Sequence, residues 1–171
     1  MGLFDFLKGK DKDSVQETKE AKVYAPANGK LVSIEEVADP VFSQKMMGDG
    51  FAVIPTDGDI YSPVAGKVMS VFPTQHAVGI AMENGIEVLV HMGLDTVELD
   101  GKPFTTTVTE GQEVTSSTKI STVDLQALTD AGKDNAMVVV FTNMDKVNAF
   151  DMIDSGSTVS VSGDIGSVTA K

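Results

Sequence analysis

From residue 23 onward, the chain alternates short apolar runs with turn residues in the manner of a β protein. Runs of Val, Ile, Thr, Phe and Met are interrupted at close intervals by Gly, Pro, Asn and Asp, as in strands joined by tight turns. Residues 136–141 form the longest clear apolar run and suit a buried strand. Only Pro40 to Met47 and Asp124 to Ala131 have a helical pattern, the second with Asp124 as its cap and Gly132 as its stop. The pattern predicts an all-β fold, a compact sandwich or barrel with very short helices.

The first 22 residues follow a different pattern. Residues 3–7 are Leu-Phe-Asp-Phe-Leu, whose apolar side chains would share one broad face of a helix, whereas residues 8–22 are charged and nearly free of apolar side chains. We therefore expect a flexible N-terminal tail over residues 1–22 and a single β domain over residues 23–171. Residues 2–8 leave two interpretations open, a weak contact with a membrane surface or partner, or a frayed tail.

Two segments of the predicted domain resemble each other at a spacing of 37 residues. Residues 25–34 are Ala-Pro-Ala-Asn-Gly-Lys-Leu-Val-Ser-Ile, and residues 62–71 are Ser-Pro-Val-Ala-Gly-Lys-Val-Met-Ser-Val. Each places a rigid proline before a glycine turn and then enters a β-prone run. Gly111 and Gly156 repeat the glycine turn between valine-rich runs. The pattern indicates an internal duplication.

Composition excludes several classes of function. The chain has no cysteine, which excludes disulfides, thiolate nucleophiles and cysteine-based zinc sites. Its 25 acidic and 13 basic residues give a net charge of −12, which repels phosphate backbones and argues against nucleic-acid binding. The same charge suits a basic protein partner. No apolar run approaches the roughly 20 residues that a transmembrane helix needs.

The chain has only two histidines, and both belong to one predicted hairpin. Asn84-Gly85 lies between two β-prone runs and signals a two-residue turn, because both residues accept positive φ. That loop length puts Val78 opposite His91, while His76 shares a strand face with Val78. The two imidazoles are then diagonal neighbours, with backbones roughly 7–8 Å apart. A shift of one residue would put them on opposite faces of the sheet.

Two convergent imidazoles allow three interpretations. Structural packing is the usual role of a strand histidine. A zinc site would need a third ligand; Glu87 and Asp95 are the nearest carboxylates in sequence, but neither spacing compels ligation, and only opportunistic zinc binding by His76 and His91 is favoured. Covalent phosphoryl carriage is the third, because neutral imidazole is a good nucleophile near pH 7. Thr74 should project from the face of His76 and add a hydroxyl to such a site.

At these residues the sequence strongly resembles the glucose-type enzyme IIA components of the bacterial sugar phosphotransferase system. The central motif is residues 85–97, Gly-Ile-Glu-Val-Leu-Val-His-Met-Gly-Leu-Asp-Thr-Val. Further similarity lies in residues 48–50, 62–66, 74–77, 110–112 and 142–144, and the whole resemblance extends over residues 23–165. It implies a cytoplasmic protein with a fold of duplicated hybrid β motifs and no cofactor.

The resemblance also implies a role for each site residue. His91 is implied to accept a phosphoryl group from the phosphohistidine of the carrier protein HPr and to donate it to a cysteine of an enzyme IIB domain during sugar uptake. His76 is implied to contact the phosphoryl group without accepting it, with Thr74 in support. Regulation of transporters or enzymes according to phosphorylation state is implied as well, since a phosphoryl group brings about −1.5 to −2 charges into an apolar patch.

Docking is implied to use a shallow apolar depression around the histidines, with an acidic rim at Asp39 and Asp95 that suits basic residues on HPr. The apolar positions that match it are Val41, Phe42, Met46, Met47, Phe72, Leu89 and Val97. Val78 and Leu89 stand where some members carry larger aromatic residues, so we expect both to line the docking surface and to bear on partner preference.

Two other classes of function compete with a phosphoryl carrier. A zinc hydrolase related by fold alone would need a third ligand within the chain. A biotin- or lipoate-type carrier would need an exposed lysine at a tight hairpin, typically flanked by methionine. Asn84-Gly85 has no lysine, and Lys67 follows Gly66 without those flanks.

Overall fold

The computed structural model describes residues 19–171, in which strands predominate and helices are very short. The strands are β1 Glu20–Tyr24, β2 Gly29–Ser33, β3 Gly50–Pro55, β4 Asp59–Tyr61, β5 Gly66–Val71, β6 Ala77–Ala81, β7 Glu87–Met92, β8 Phe104–Thr106, β9 Glu113–Val114, β10 Lys119–Val123, β11 Met137–Phe141, β12 Val147–Met152, β13 Thr158–Val159 and β14 Asp164–Ala170. The helices are α1 Pro40–Ser43 and α2 Leu125–Asp130, with 3₁₀ turns at Ile34–Glu36, Thr96–Leu99 and Met144–Lys146.

Three antiparallel sheets form a sandwich, which confirms the predicted fold class. An eight-stranded sheet has the order β13-β2-β3-β11-β7-β6-β5-β9, and two three-stranded sheets have the orders β1-β14-β12 and β4-β10-β8. The main core contains Leu31 and Val139 from the large sheet and Ile120 and Val168 from the small ones. A second apolar cluster, which includes Phe42 of α1, lies on the other face of the large sheet.

Both predicted helices are present but short. α1 covers only the first part of the predicted stretch from Pro40 to Met47, and Lys45 beyond it has a left-handed φ of 59°. In α2 the Asp124 carboxylate accepts a hydrogen bond from the backbone N–H of Ala127 at 3.1 Å. Gly132 follows with a φ of +73°, as expected of a helix stop.

The folded part begins earlier than predicted. β1 starts at Glu20 rather than near Val23, because residues 20–22 pair with β14. Of the predicted tail over residues 1–22, the first 18 residues lie outside the described part of the chain, and so does the predicted contact of residues 2–8.

The predicted duplication is visible in paired hydrogen bonds. The backbone N–H of Gly156 donates to the Leu31 carbonyl at 2.7 Å, and that of Gly111 donates to the carbonyl of Val68, 37 positions after Leu31, at 2.8 Å. The N–H of residue 24 donates to the carbonyl of residue 63, and that of residue 61 to the carbonyl of residue 26, both at 2.8 Å. The halves of the large sheet are therefore related by a pseudo-twofold axis between β7 and β11.

The predicted register of the β6–β7 hairpin is wrong by one residue. Ala77, not Val78, lies opposite His91. The loop contains three residues rather than two, because only Gly85 takes a positive φ, +92°, while the Asn84 side chain accepts a hydrogen bond from the next-but-one backbone N–H at 3.1 Å. This is the three-residue alternative for a hairpin loop. In a regular strand of this register, the two histidines would point to opposite faces of the sheet.

Candidate functional site

His91 lies on β7, and one of its ring nitrogens, Nε2, keeps a free lone pair. It shares the sheet face of Leu89, away from the main core, and its side chain is half-buried. Its Nδ1 is 2.7 Å from the carbonyl oxygen of Gly93. A carbonyl only accepts, so Nδ1 carries the proton and Nε2 is left with its lone pair. Gly93 has a φ of +82°, and a Cβ there would come within 2.6 Å of the Thr96 side chain, so the turn that holds this carbonyl needs glycine.

His76 meets His91 although the register is not the one that predicted their convergence. The ring centroids are 5.0 Å apart, with an angle of 78° between the ring planes. His76 precedes β6 and follows Gln75, whose φ of +56° departs from strand geometry. The side chain of His76 therefore leaves the alternation of the strand and turns toward His91. The predicted proximity of the two histidines is confirmed, whereas the reason given for it was wrong.

Thr74 and two phenylalanines fix the imidazoles. The Thr74 hydroxyl oxygen lies 2.5 Å from Nδ1 of His76. When that hydroxyl donates, the proton of a neutral His76 sits on Nε2, where it is available as a donor. Phe72 packs edge-to-face against His76 at 5.4 Å between centroids, and Phe42 packs against His91 at 5.1 Å.

Burial favours the neutral form of both imidazoles. The pKa of His91 is lowered mainly by burial, against the opposing effects of the Gly93 carbonyl and of Asp39 and Asp95. The pKa of His76, only 6% exposed, is lowered by burial and then by the proximity of His91. A neutral imidazole with an available Nε2 lone pair is a nucleophile.

These lowered pKa values predict a pH-dependent stability. The unfolded chain takes up protons on histidine near the ordinary pKa of about 6.5, while the folded protein resists protonation to lower pH. The unfolded state then binds more protons, so we expect the histidines to make the folded protein less stable as the pH falls from about 7 to 5. Urea unfolding of the wild type and of His76→Gln and His91→Gln measures this, since the variants should lose less stability over that range. Equal losses would contradict the lowered pKa values.

The residues predicted to form the docking depression divide into exposed and buried sets. Exposed are Val41, Met46, Phe72 and Val97, with Met46 the most exposed at 71%. Phe42 and Leu89 are buried and Met47 is partly buried, all in the apolar cluster on the sheet face of His91.

Val78 does not fit the predicted depression. It is fully buried in the main core, with 0% of its surface exposed. The one-residue register shift pairs it with Val90 and points it to the face opposite His91. Its predicted role in docking is therefore wrong.

The carboxylates of the two predicted acidic residues, Asp39 and Asp95, are near enough to His91 to oppose the lowering of its pKa. Asp39 caps α1 by accepting a hydrogen bond from the backbone N–H of Val41 at 2.9 Å. Asp95 begins the turn after β7 with a left-handed φ of 58°. Both line a cleft of about 430 Å³, together with Asp134 and Lys133. Neither this cleft nor a larger one of about 830 Å³ is lined by a histidine.

Among residues 19–171, no group of three His, Cys, Asp or Glu side chains is placed to hold a metal ion. Glu87 and Asp95 thus do not complete a site with the two histidines. The third ligand that the zinc-hydrolase hypothesis requires is not found in this part of the chain. Over the same residues, no helix has both the length and the apolar character to cross a membrane.

Comparisons with known proteins give one consistent answer. The family model described as phosphoenolpyruvate-dependent sugar phosphotransferase system, EIIA 1, matches residues 21–147. A PTS system glucose-specific EIICBA component from Streptococcus pneumoniae serotype 4 is 55% identical over 136 residues, which are 80% of this chain but only 19% of that protein. A PTS system glucose-specific EIIA component from Staphylococcus aureus strain COL is 42% identical over 157 residues, 92% of this chain and 93% of that protein.

The fold points the same way. The solved structure of glucose permease IIA from Mycoplasma capricolum matches with a TM-score of 0.78 and 38% sequence identity, covering 87% of this chain and 96% of that one. The chain therefore belongs to the EIIA 1 family of the phosphoenolpyruvate-dependent sugar phosphotransferase system and is a phosphotransferase component of that system.

Proposed function

We propose that His91 carries a phosphoryl group on Nε2, taken from the phosphohistidine of HPr and passed to the cysteine of an enzyme IIB domain. One observation supports this above the others. The Gly93 carbonyl holds Nδ1 of His91 in its protonated form at 2.7 Å, so the free lone pair is on Nε2, beside a second imidazole. No metal or cofactor enters the proposed reaction.

Each transfer exchanges one bond to phosphorus for another. In the first step the Nε2 lone pair of His91 attacks phosphorus, the new N–P bond forms, and the N–P bond of HPr breaks with its electron pair returning to the HPr imidazole. The His91 ring gains positive charge, which the hydrogen bond from Nδ1 to the Gly93 carbonyl stabilises. In the second step the IIB thiolate attacks phosphorus, an S–P bond forms, and His91 Nε2 recovers its electron pair.

His76 and Thr74 would stabilise the transferring group. The Thr74 hydroxyl at Nδ1 favours a proton on Nε2 of His76, which can donate to a phosphoryl oxygen on His91. Because His76 is buried beside Phe72, this donor acts where water screens it little. His76 is not the acceptor in this proposal, since its position suits holding the oxygens of a group on His91.

The surface around the site suits both partners. The exposed apolar residues on and after α1 and after β7 would face HPr or the IIB domain, and the carboxylates of Asp39 and Asp95 would attract basic residues of HPr. Since the relatives are named glucose-specific, we propose a glucose-type permease as the acceptor, reached from the cytoplasm. Binding of regulated transporters or enzymes would use the same surface, switched by the charge of the phosphoryl group.

Incubation of the full chain with phosphorylated HPr tests the proposal. We expect intact-mass measurement to show one added phosphoryl group per chain, and peptide mapping under alkaline conditions to place it on His91. Addition of a IIB domain should then remove it. Phosphate on His76, or no mass increase at all, would overturn the assignment.

A further inference from the structure

Gln75 has a backbone conformation that is unusual for its side chain. Its φ of +56° lies in the left-handed region, where residues other than glycine, asparagine and aspartate are uncommon. Such a conformation costs free energy and persists only where the surrounding structure holds it. It lies directly before His76, at the point where the chain leaves strand geometry.

The pseudo-twofold repeat shows which residue this position otherwise takes. The carbonyl of His76 accepts a hydrogen bond from the N–H of Met92 at 2.8 Å, and in the other half the carbonyl of Asp49 accepts one from Phe141 at 2.9 Å. Asp49 thus corresponds to His76, and the residue before it is Gly48, with a φ of +124°. Both halves need a positive φ here, and only the half that contains the histidines meets this need with a residue that bears a side chain.

The side chain of Gln75 reaches a different sheet. Its Oε1 accepts a hydrogen bond from the backbone N–H of Thr106 at 3.0 Å. Thr106 belongs to β8 of a small sheet, whereas His76 adjoins β6 of the large one. The turn itself is closed by the N–H of Gln75, which donates to the Phe72 carbonyl at 2.7 Å. The amide thereby anchors the turn before His76 to the opposite layer of the sandwich.

We propose that Gln75 is a positioning residue for phosphoryl transfer. Its left-handed backbone turns the His76 imidazole toward His91, and its bond to Thr106 holds the ring at the distance where it can contact a phosphoryl group on His91. The catalytic consequence rests on the proposed function, whereas the orientation of the ring does not. The energetic cost of a non-glycine residue here is then explained by the anchor that glycine lacks.

Three variants separate the effect of the Gln75–Thr106 hydrogen bond from the effect of the left-handed backbone conformation. Gln75→Met keeps the length of the side chain but removes the acceptor, Gln75→Glu keeps an acceptor, and Gln75→Gly relieves the backbone but has no anchor. A matched control is Gln112→Met, because Gln112 also accepts a hydrogen bond from a backbone N–H, that of Thr109 at 3.2 Å, away from both histidines.

We expect transfer from His91 to a IIB domain, measured near pH 8 where both histidines are neutral, to fall about tenfold or more in Gln75→Met and Gln75→Gly. Gln75→Glu should restore most of the rate, and Gln112→Met should keep the wild-type rate. Gln75→Gly should also unfold at no lower urea concentration than the wild type, which separates positioning from folding. The proposal would be overturned if Gln75→Met transferred the phosphoryl group at the wild-type rate, or if Gln112→Met were the only one of these two variants to slow transfer.

The ring signals of His76 provide a readout that needs no phosphate. The full chain contains two histidines, so nitrogen-15 spectra of the imidazoles can be assigned with a His91→Gln variant. We expect the His76 signals to shift in Gln75→Met and to return in Gln75→Glu. If the wild type takes up no phosphate while these signals still shift, the proposed function fails and the positioning role stands. If the signals do not move, Gln75 does not orient His76.

Discussion

Replacing His91 with glutamine is expected to abolish phosphoryl uptake from phosphorylated HPr. Glutamine retains a polar side chain on β7 but has no nucleophilic nitrogen with a free lone pair, so no N–P bond can form. We expect the rate to fall by at least about a thousandfold, the scale of losses when a covalent nucleophile is removed. Intact-mass measurement over time, at equal concentrations of wild type and variant, gives both rates.

Two controls make a loss of uptake informative. The urea unfolding midpoint of His91→Gln should stay close to that of the wild type at neutral pH, because His91 is only half-buried and makes its one hydrogen bond to a carbonyl. His76→Gln should still gain one phosphoryl group under the same conditions. Phosphoryl uptake by His91→Gln at the wild-type rate would show that another residue is the acceptor.

His76→Gln is expected to accept the phosphoryl group but to pass it on poorly. The variant loses the imidazole N–H that we place against the phosphoryl oxygens, in a buried setting where one donor has a large effect. Transfer from phosphorylated protein to a IIB domain should slow by about 100- to 1,000-fold, the range found when one donor is removed from such a site. Uptake from HPr should change much less.

Single-turnover transfer from the purified phosphorylated variant measures this step without the uptake step. Thr74→Val provides a graded comparison, because it leaves the His76 ring in place and removes only the hydroxyl at its Nδ1. We expect its transfer rate to lie between those of the wild type and His76→Gln. If His76→Gln passes phosphate on at the wild-type rate, His76 does not stabilise the transferring group.

The two histidines lie close together as the sequence predicted, but not for the reason that the predicted register supplied. A two-residue loop at Asn84-Gly85 predicted that the rings share a strand face. The actual loop is one residue longer, because only Gly85 takes a positive φ and the backbone N–H of Met82 donates to the Ile86 carbonyl. The convergence survives since His76 lies just outside β6, after the left-handed Gln75. Nothing about glutamine as a residue type signals positive φ.

The docking residues show a similar division. The apolar residues that the resemblance assigned to the docking depression were all expected to lie at the surface. Whether it is exposed depends on which sheet face it occupies, and for Val78 the hairpin register reverses that face. Phe42 was predicted to contact partners, yet it is buried and packs its edge on His91. Its contribution to the site is therefore support of the imidazole.

By itself, the sequence determined the all-β class, the internal duplication, the two short helical stretches and the histidine pair, because strand alternation, turn chemistry and residue counts are local properties. Only the tertiary structure decided the hairpin register, the protonated nitrogen of His91 and the direction of His76. The register rests on the backbone conformation of the Asn84-Gly85 loop, and the proton on Nδ1 of His91 rests on the carbonyl that the left-handed Gly93 holds two residues later. The direction of His76 follows the left-handed Gln75, whose side chain accepts a hydrogen bond from Thr106 in another sheet. A contact between distant segments has no local signature, so it is set by packing and hydrogen bonding of the whole domain.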